Sequence, residues 1–167
     1  MVILGIDPGL AIVGWGVIEH HANKFRTVAY GSIQTPAGMD TANRLLTIHK
    51  DLTEIIKTYH PDQMAVEELF FNTNITTGIR VAEARGVIIM TGQQHGIPMA
   101  EYTPLQVKQA VVGYGRAEKR QVIDMVTRIL NLPKPPKPDD TADALAIAIC
   151  HAHSGCSRLA NYYNQTQ

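Results

Sequence analysis

The chain opens with Val2-Ile3-Leu4-Gly5-Ile6 and closes that run with Asp7-Pro8-Gly9. A short apolar run ended by a turn reads as a strand buried on both faces. Any fold must then accommodate a carboxylate at the end of a buried strand, which is costly unless a cation or a base pairs with it. The pattern returns at Gln63-Met64-Ala65-Val66-Glu67. Side chains alternate along a strand, so Asp7 shares a face with Gly5 and Ile3, and Glu67 with Ala65 and Gln63. The residue two before each acid is small, which leaves room on that face. On this alternation Glu67 is the candidate and Glu68 points the other way. The plain alternative for either acid alone is a strand-end residue turning into solvent.

The segments between and beyond these strands give the layout. Ile12–Ile18 and Arg26–Gln34 read as two further strands linked by the polar stretch Glu19–Lys24, an antiparallel meander with the first. Leu45, Ile48, Leu52, Ile55 and Ile56 give helical periodicity from Asp40 to His60, where Pro61-Asp62 stops it. Ile75–Gln94 is a long helix and Ile97–Tyr102 a short strand. Thr103-Pro104 is an N-cap and first-turn pair for a helix over Leu105–Val112. Gly113-Tyr114-Gly115 breaks that helix, and Ala117–Leu130 resumes. Leu132–Pro138 holds four prolines, a stiff loop. Asp140–His153 is the last helix, and Ser154–Gln167 is polar, aperiodic and expected to be a flexible tail. The order β-β-β-α-β-α-β-α-α-α predicts an α/β fold with a five-stranded mixed sheet, an antiparallel meander plus parallel strands, flanked by helices. Residues 1–153 form one domain on this reading.

Composition narrows the class of function. The 167 residues carry fifteen basic and fifteen acidic side chains, a formal net charge of zero, which argues against a uniformly basic nucleic-acid coat protein. The start has no basic n-region, and the longest apolar run, Ala144–Cys150, is far short of the ~20 residues of a membrane span. Two cysteines, Cys150 and Cys156, make no disulfide framework. The expectation is a soluble, reduced, cytoplasmic protein.

Asp140 and Asp143 stand one turn apart at the start of the last helix, on one face. Acids favour helix N-termini for capping and dipole reasons, so the pair alone has a structural explanation, with Asp139 the plainer cap. Two strand-end acids together with such a pair are what a two-cation site needs. Carboxylate oxygens suit Mg²⁺ or Mn²⁺, cations relieve the repulsion among the acids, and two ions about 3.5–4 Å apart can clamp an in-line phosphoryl displacement.

Other features divide between a function and a bland explanation. Leu105–Pro138 carries Lys108, Arg116, Lys119, Arg120, Arg128, Lys134 and Lys137 against Glu118 and Asp124, either a phosphate-binding patch or a solvated pair of basic helices. Phe70-Phe71 is core or a ring surface that stacks on an unpaired base, a contact worth about 1–3 kcal/mol. Gly78, Ala82 and Gly86 recur every fourth residue and allow close packing, against the chain's own sheet or across a two-fold interface. Cys150, His151, His153 and Cys156 have poor spacing for zinc, and no Walker A or G-x-G-x-x-G loop is present.

Four segments taken together, Ile3-Leu4-Gly5-Ile6-Asp7-Pro8-Gly9, Ala65-Val66-Glu67, Gln106-Val107-Lys108 running to Gly115, and Asp140-Thr141-Ala142-Asp143-Ala144-Leu145-Ala146, resemble the RuvC family of bacterial Holliday-junction resolvases. The likeness spans about residues 2–153. It implies a ribonuclease-H-like fold and a homodimer that nicks four-way DNA junctions symmetrically in recombination and repair. Two Mg²⁺ ions per subunit are implied, with Mn²⁺ as a substitute, and products bearing a 5′-phosphate and a 3′-hydroxyl. It places the catalytic and metal-binding carboxylates on Asp7, Glu67, Asp140 and Asp143, the lysines near DNA on Lys108 and Lys119, and an aromatic at the junction on Phe70. It also implies a RuvA–RuvB branch-migration partner. Phe70→Ala is then expected to cut cleavage more than junction binding, and equal losses in paired gel-shift and cleavage assays would dismiss that division. The rivals are a ribonuclease of the same fold acting on structured or hybrid RNA, an ATP-binding protein of the actin and sugar-kinase kind, and a non-catalytic junction-binding module.

Overall fold

The computed structural model describes residues 1–69 and 75–164, with side chains described over 1–69 and 78–154. Five strands, β1 (Val2–Asp7), β2 (Ile12–His21), β3 (Lys24–Gln34), β4 (Gln63–Glu67) and β5 (Met99–Tyr102), form one sheet in the order β3-β2-β1-β4-β5. β1, β2 and β3 are antiparallel, while β4 and β5 run parallel to β1. This is the mixed sheet the element order predicts.

The β2–β3 hairpin departs from expectation. Glu19–Lys24 is not a loop: pairing continues to His21 opposite Lys24, and the turn is only Ala22-Asn23, both at positive φ (47° and 60°). Two successive positive-φ residues are the tight hairpin geometry whose twist matches the strands. His20 is held there by stacking on Phe25, so a polar stretch serves as strand.

The helices are α1 (Thr41–Tyr59), α2 (Ile75–Gln94), α3 (Pro104–Val112), α4 (Lys119–Ile129) and α5 (Asp139–Asn164). Their ends follow local chemistry. The Asp40 side chain accepts from Asn43 N–H, and His60 closes α1 in the left-handed region. Thr103 and Gln106 form a reciprocal capping box on α3. At the start of α4 the Gln121 side chain accepts from the Glu118 N–H at 2.8 Å, which moves its start from Ala117 to Lys119. Asp139 is the first residue of α5 rather than its cap. α5 also runs past His153 to Asn164, because hydrogen bonding propagates along a formed helix without needing an apolar stripe.

Burial on both sheet faces follows strand alternation. Leu4, Ile6, Met64 and Val66 pack with Ile48, Leu52 and Ile56 of α1 and with Ala84 and Ile88 of α2. Ile3, Ile18 and Ala65 pack on the opposite side with α3, α4 and α5. Asp7 and Glu67 lie in step with Ile3 and Ala65, so both acids belong to the face that receives α5. From Ala144 to Ile149 every side chain of α5 is fully buried, which makes this helix the centre of that layer. Gly5 lets it approach: a Cβ there would meet the Ala144 carbonyl and the Ala148 backbone nitrogen. The room left by a small residue before Asp7 is therefore filled by α5.

The small-residue stripe does not pack on its own sheet. α2 turns Ala84, Ile88 and Thr91 into the core, while Ala82 and Gly86 are exposed on its outer side beside Ile79 and Met90. Cys150 is a buried free thiol whose pKa burial pushes up to about 11. His151 hydrogen-bonds Tyr102 Oη at 2.8 Å and Gln63 Oε1, consistent with packing rather than a zinc cluster. Among the described residues, no helix is long and apolar enough to cross a membrane.

Candidate active site

Three elements deliver four carboxylates to one end of the sheet. Asp7 ends β1, Glu67 ends β4, and Asp140 and Asp143 occupy the first turns of α5 on the same face. The starting turn of α5 is fixed by the Thr141 hydroxyl, which donates to the Gly31 carbonyl at 3.1 Å. The loop after Asp7 is fixed by a polar chain: Arg44 Nε donates to Thr35 Oγ1 at 2.7 Å, and that hydroxyl donates to the Leu10 carbonyl at 2.6 Å. Arg44 is a buried arginine whose terminal nitrogen also reaches the Thr35 carbonyl at 3.4 Å, and sequence periodicity had placed it anonymously on α1.

The four acids feel one another. Burial holds the Asp7 carboxyl well above the usual carboxylate range, and the charges of Glu67, Asp143 and Asp140 push it further, against the pull of Lys119. Burial first and Asp143 second raise Glu67 to about 7, with Lys119 and Lys108 opposing. Asp143 is also raised, chiefly by burial and then by Asp140 and Asp139, although Lys119 Nζ lies 3.0 Å from its Oδ2. An ion pair normally lowers the acid, so burial outweighs the pair here. Burial also pulls the Lys119 pKa down, but its hydrogen bond to Asp143 and the surrounding acids leave it raised. Glu68, by contrast, is exposed.

Lys119 in the cluster and Lys108 beside Glu67 do not balance four acids, and the donors are the hard oxygens that Mg²⁺ or Mn²⁺ prefer. The donor chemistry therefore fits divalent cations. The side chains as they stand do not yet surround one: among the described residues, no three His, Cys, Asp or Glu groups converge to hold an ion. Lys119 sits in the cluster, 3.0 Å from Asp143 and 3.9 Å from Asp139.

The remaining sequence candidates fall around this centre. Lys108 is half-buried on α3 and acts on Glu67. Lys119 opens α4, and Arg116 and Arg120 flank it, exposed. An open cleft of about 520 Å³ adjoins Asp140, lined by Gly9–Ile12, Arg44, Arg80 and Val81. Phe70 and Phe71 lie outside the described residues. Arg85, which no sequence motif singled out, touches the Glu67 peptide; its only signal was a lone basic residue between two core positions of α2.

A family model described as crossover junction endodeoxyribonuclease RuvC matches residues 3–151. Curated relatives carrying that description include one from Halothermothrix orenii, 60% identical over 92% of this chain and 93% of its own. Another, from Alkaliphilus oremlandii, is 58% identical over 93% and 94%. Among solved structures, Thermus thermophilus RuvC in complex with Holliday junction substrate superposes with a TM-score of 0.88 at 37% identity, covering 93% of this chain and 94% of that one.

Proposed function

The chain belongs to the RuvC family, with its ribonuclease-H-like fold, and on that premise we propose that it resolves four-way DNA junctions. It is a metal-dependent crossover junction endodeoxyribonuclease of recombination and repair. The observation that carries the reading is the placement of Asp7, Glu67, Asp140 and Asp143 at one end of one sheet face, where the other three acids act electrostatically on Asp7.

The four carboxylates would hold two Mg²⁺ ions per subunit, with Mn²⁺ as a substitute. When bound, such ions supply Lewis-acid polarisation of the phosphate and a more acidic water. The chain's own part is to fix the oxygens on rigid elements, two on strand ends and two on a buried helix, where they need little reorganisation. Lys119 moves from Asp143 toward the strand being cut, and Lys108 shares that phosphate environment. Arg116 and Arg120 extend the positive surface along the DNA. Phe70 stacks on a base at the opened junction. The products are a 5′-phosphate and a 3′-hydroxyl.

A four-way junction is pseudo-symmetric, so two equivalent sites related by a two-fold axis can nick strands of like polarity. The outer face of α2 supports such a homodimer, since Ile79 and Met90 are about half exposed (52% and 47%) beside Ala82 and Gly86. The enzyme works in the cytoplasm and hands over from a RuvA–RuvB branch-migration complex. Residues 1–153 carry the nuclease, and α5 continues beyond them to Asn164.

The test is an end-labelled four-way junction, a matching duplex and an RNA–DNA hybrid, each with Mg²⁺ and with EDTA. Paired symmetric nicks confined to the junction and lost in EDTA are expected. Cleavage of the hybrid alone would move the assignment to a ribonuclease, and binding without cutting would leave a junction-binding module.

A further inference from the structure

Arg85 stands on α2 between the core residue Ala84 and the next core turn at Ile88, so packing fixes where its side chain starts. The guanidinium reaches across to the sheet. Nε donates to the Glu67 carbonyl oxygen at 3.2 Å, and a terminal nitrogen lies 2.6 Å from Glu101 Oε2. Only 17% of the Arg85 side chain is exposed, against 45% for Glu101.

Strand register shows why that position matters. Glu101 lies opposite Val66 and Tyr102 opposite Glu67, the last two rungs of the β4–β5 ladder. One more bond, from Glu68 N–H to the Tyr102 carbonyl at 2.8 Å, follows. On its other side β4 loses its partner one residue sooner, since pairing with β1 ends at Val66 opposite Ile6. Glu67 is therefore held by the ladder on one flank only, at the point where the chain leaves the sheet. Arg85 supplies a second hold on its peptide. Arg85 touches the backbone carbonyl of Glu67 and not its carboxyl, so its contribution is to geometry.

We propose that Arg85, anchored by Glu101, is a positioning residue for Glu67, tying helix α2 to the end of β4 so that this carboxyl is presented at a fixed angle to the other three. A guanidinium suits the task because its planar fork engages a carbonyl and a carboxylate at once, whereas an ammonium is a single point charge. The inference deepens the active-site reading and rests on Glu67 being one of the working carboxylates.

The experiment compares the full-length wild type with Arg85→Ala, Arg85→Lys, Glu101→Gln and Glu67→Gln. Three quantities are measured: junction affinity by gel shift in EDTA, single-turnover cleavage at saturating protein with Mg²⁺, and Mn²⁺ binding without DNA by electron paramagnetic resonance. A misplaced catalytic group costs up to about 100-fold, so Arg85→Ala is expected to slow cleavage about 30-fold and weaken Mn²⁺ several-fold, with junction affinity within about twofold. Arg85→Lys should recover part of the rate, and Glu101→Gln should show the same pattern at about threefold. Arg85→Ala cleaving like wild type, or losing binding and cleavage to the same extent, overturns the proposal. If Arg85→Ala does not fold, Glu101→Gln decides, and a wild-type cleavage rate there overturns it equally. Glu67→Gln separates the two levels. Should it nick normally, the active-site reading fails and the inference with it; should it be inactive while Arg85→Ala is normal, only the inference fails.

Discussion

Asp7→Asn is expected to cut the single-turnover rate of junction cleavage by on the order of 10³-fold while leaving junction affinity in EDTA within about threefold, because the charge stabilisation lost is several kcal/mol. Asn has the shape of Asp, so packing against α5 is unchanged, and what disappears is one anionic carboxylate from the group formed with Glu67, Asp140 and Asp143. The sign of the stability change tests the same idea. Burial and the charges of Glu67, Asp143 and Asp140 all disfavour an ionised Asp7. Removing that charge should stabilise the metal-free protein by about 1 kcal/mol, or roughly 2–4 °C in Tm for a chain of this size. Mg²⁺ should then raise the Tm of the variant less than it raises that of the wild type. Calorimetry in EDTA and in Mg²⁺ reads both effects. A variant that nicks at the wild-type rate would remove Asp7 from the site, and one that is inactive but destabilised in EDTA would remove the repulsion argument.

What the sequence disclosed depended on where burial forced a pattern. The strands of the sheet were legible because Ile3–Ile6 and Met64–Val66 are covered on both faces and must be continuously apolar. Alternation placed Asp7 in step with Ile3 and Glu67 in step with Ala65, but that the two acids share one face depends on the β1–β4 register, which pairs Gly5 with Ala65. The hairpin at Ala22-Asn23 was not legible, since neither residue is glycine and the strand beside it, Glu19-His20-His21, is polar. The length of α5 was missed for a related reason: beyond His153 the apolar period disappears, though the backbone stays helical to Asn164. The stripe on α2 shows the limit of periodicity, which finds a face but not which way it looks. Lys119 was found as a basic residue near DNA, yet its ion pair with Asp143 depends on α4 starting at that residue, a boundary set by the Glu118–Gln121 hydrogen bond. Arg85 was invisible because its partners are a carbonyl oxygen and a carboxylate on two other elements, and tertiary pairs of that kind leave no local trace.

Gly14→Ala should show how closely the fold and the site are joined. Gly14 lies opposite Asp7 in the β1–β2 register, and a Cβ added there would collide with the Asp140 carbonyl group and come within 3.0 Å of Thr141 N. Every one of these atoms is backbone, so no side chain can rotate aside; the first turn of α5 must lift. Gly14 thus sets the separation at the first turn of α5, as Gly5 does further along the helix. Forcing extra volume into such a contact costs about 1–3 kcal/mol, which for this chain length lowers Tm by roughly 3–10 °C. Well below that Tm, cleavage should still fall by about 100-fold, since a shift near 1 Å in reacting groups costs that much. Gly38→Ala is the matched control, because a Cβ at Gly38 meets nothing within 4 Å, and it should leave both Tm and cleavage unchanged. Differential scanning calorimetry and single-turnover assays at 20 °C separate the two effects. A Gly14→Ala protein with wild-type Tm and wild-type cleavage would mean that the approach of α5 to β2 does not space the acids. A large Tm loss with full activity at 20 °C would confine Gly14 to stability and leave the spacing to the Thr141–Gly31 hydrogen bond.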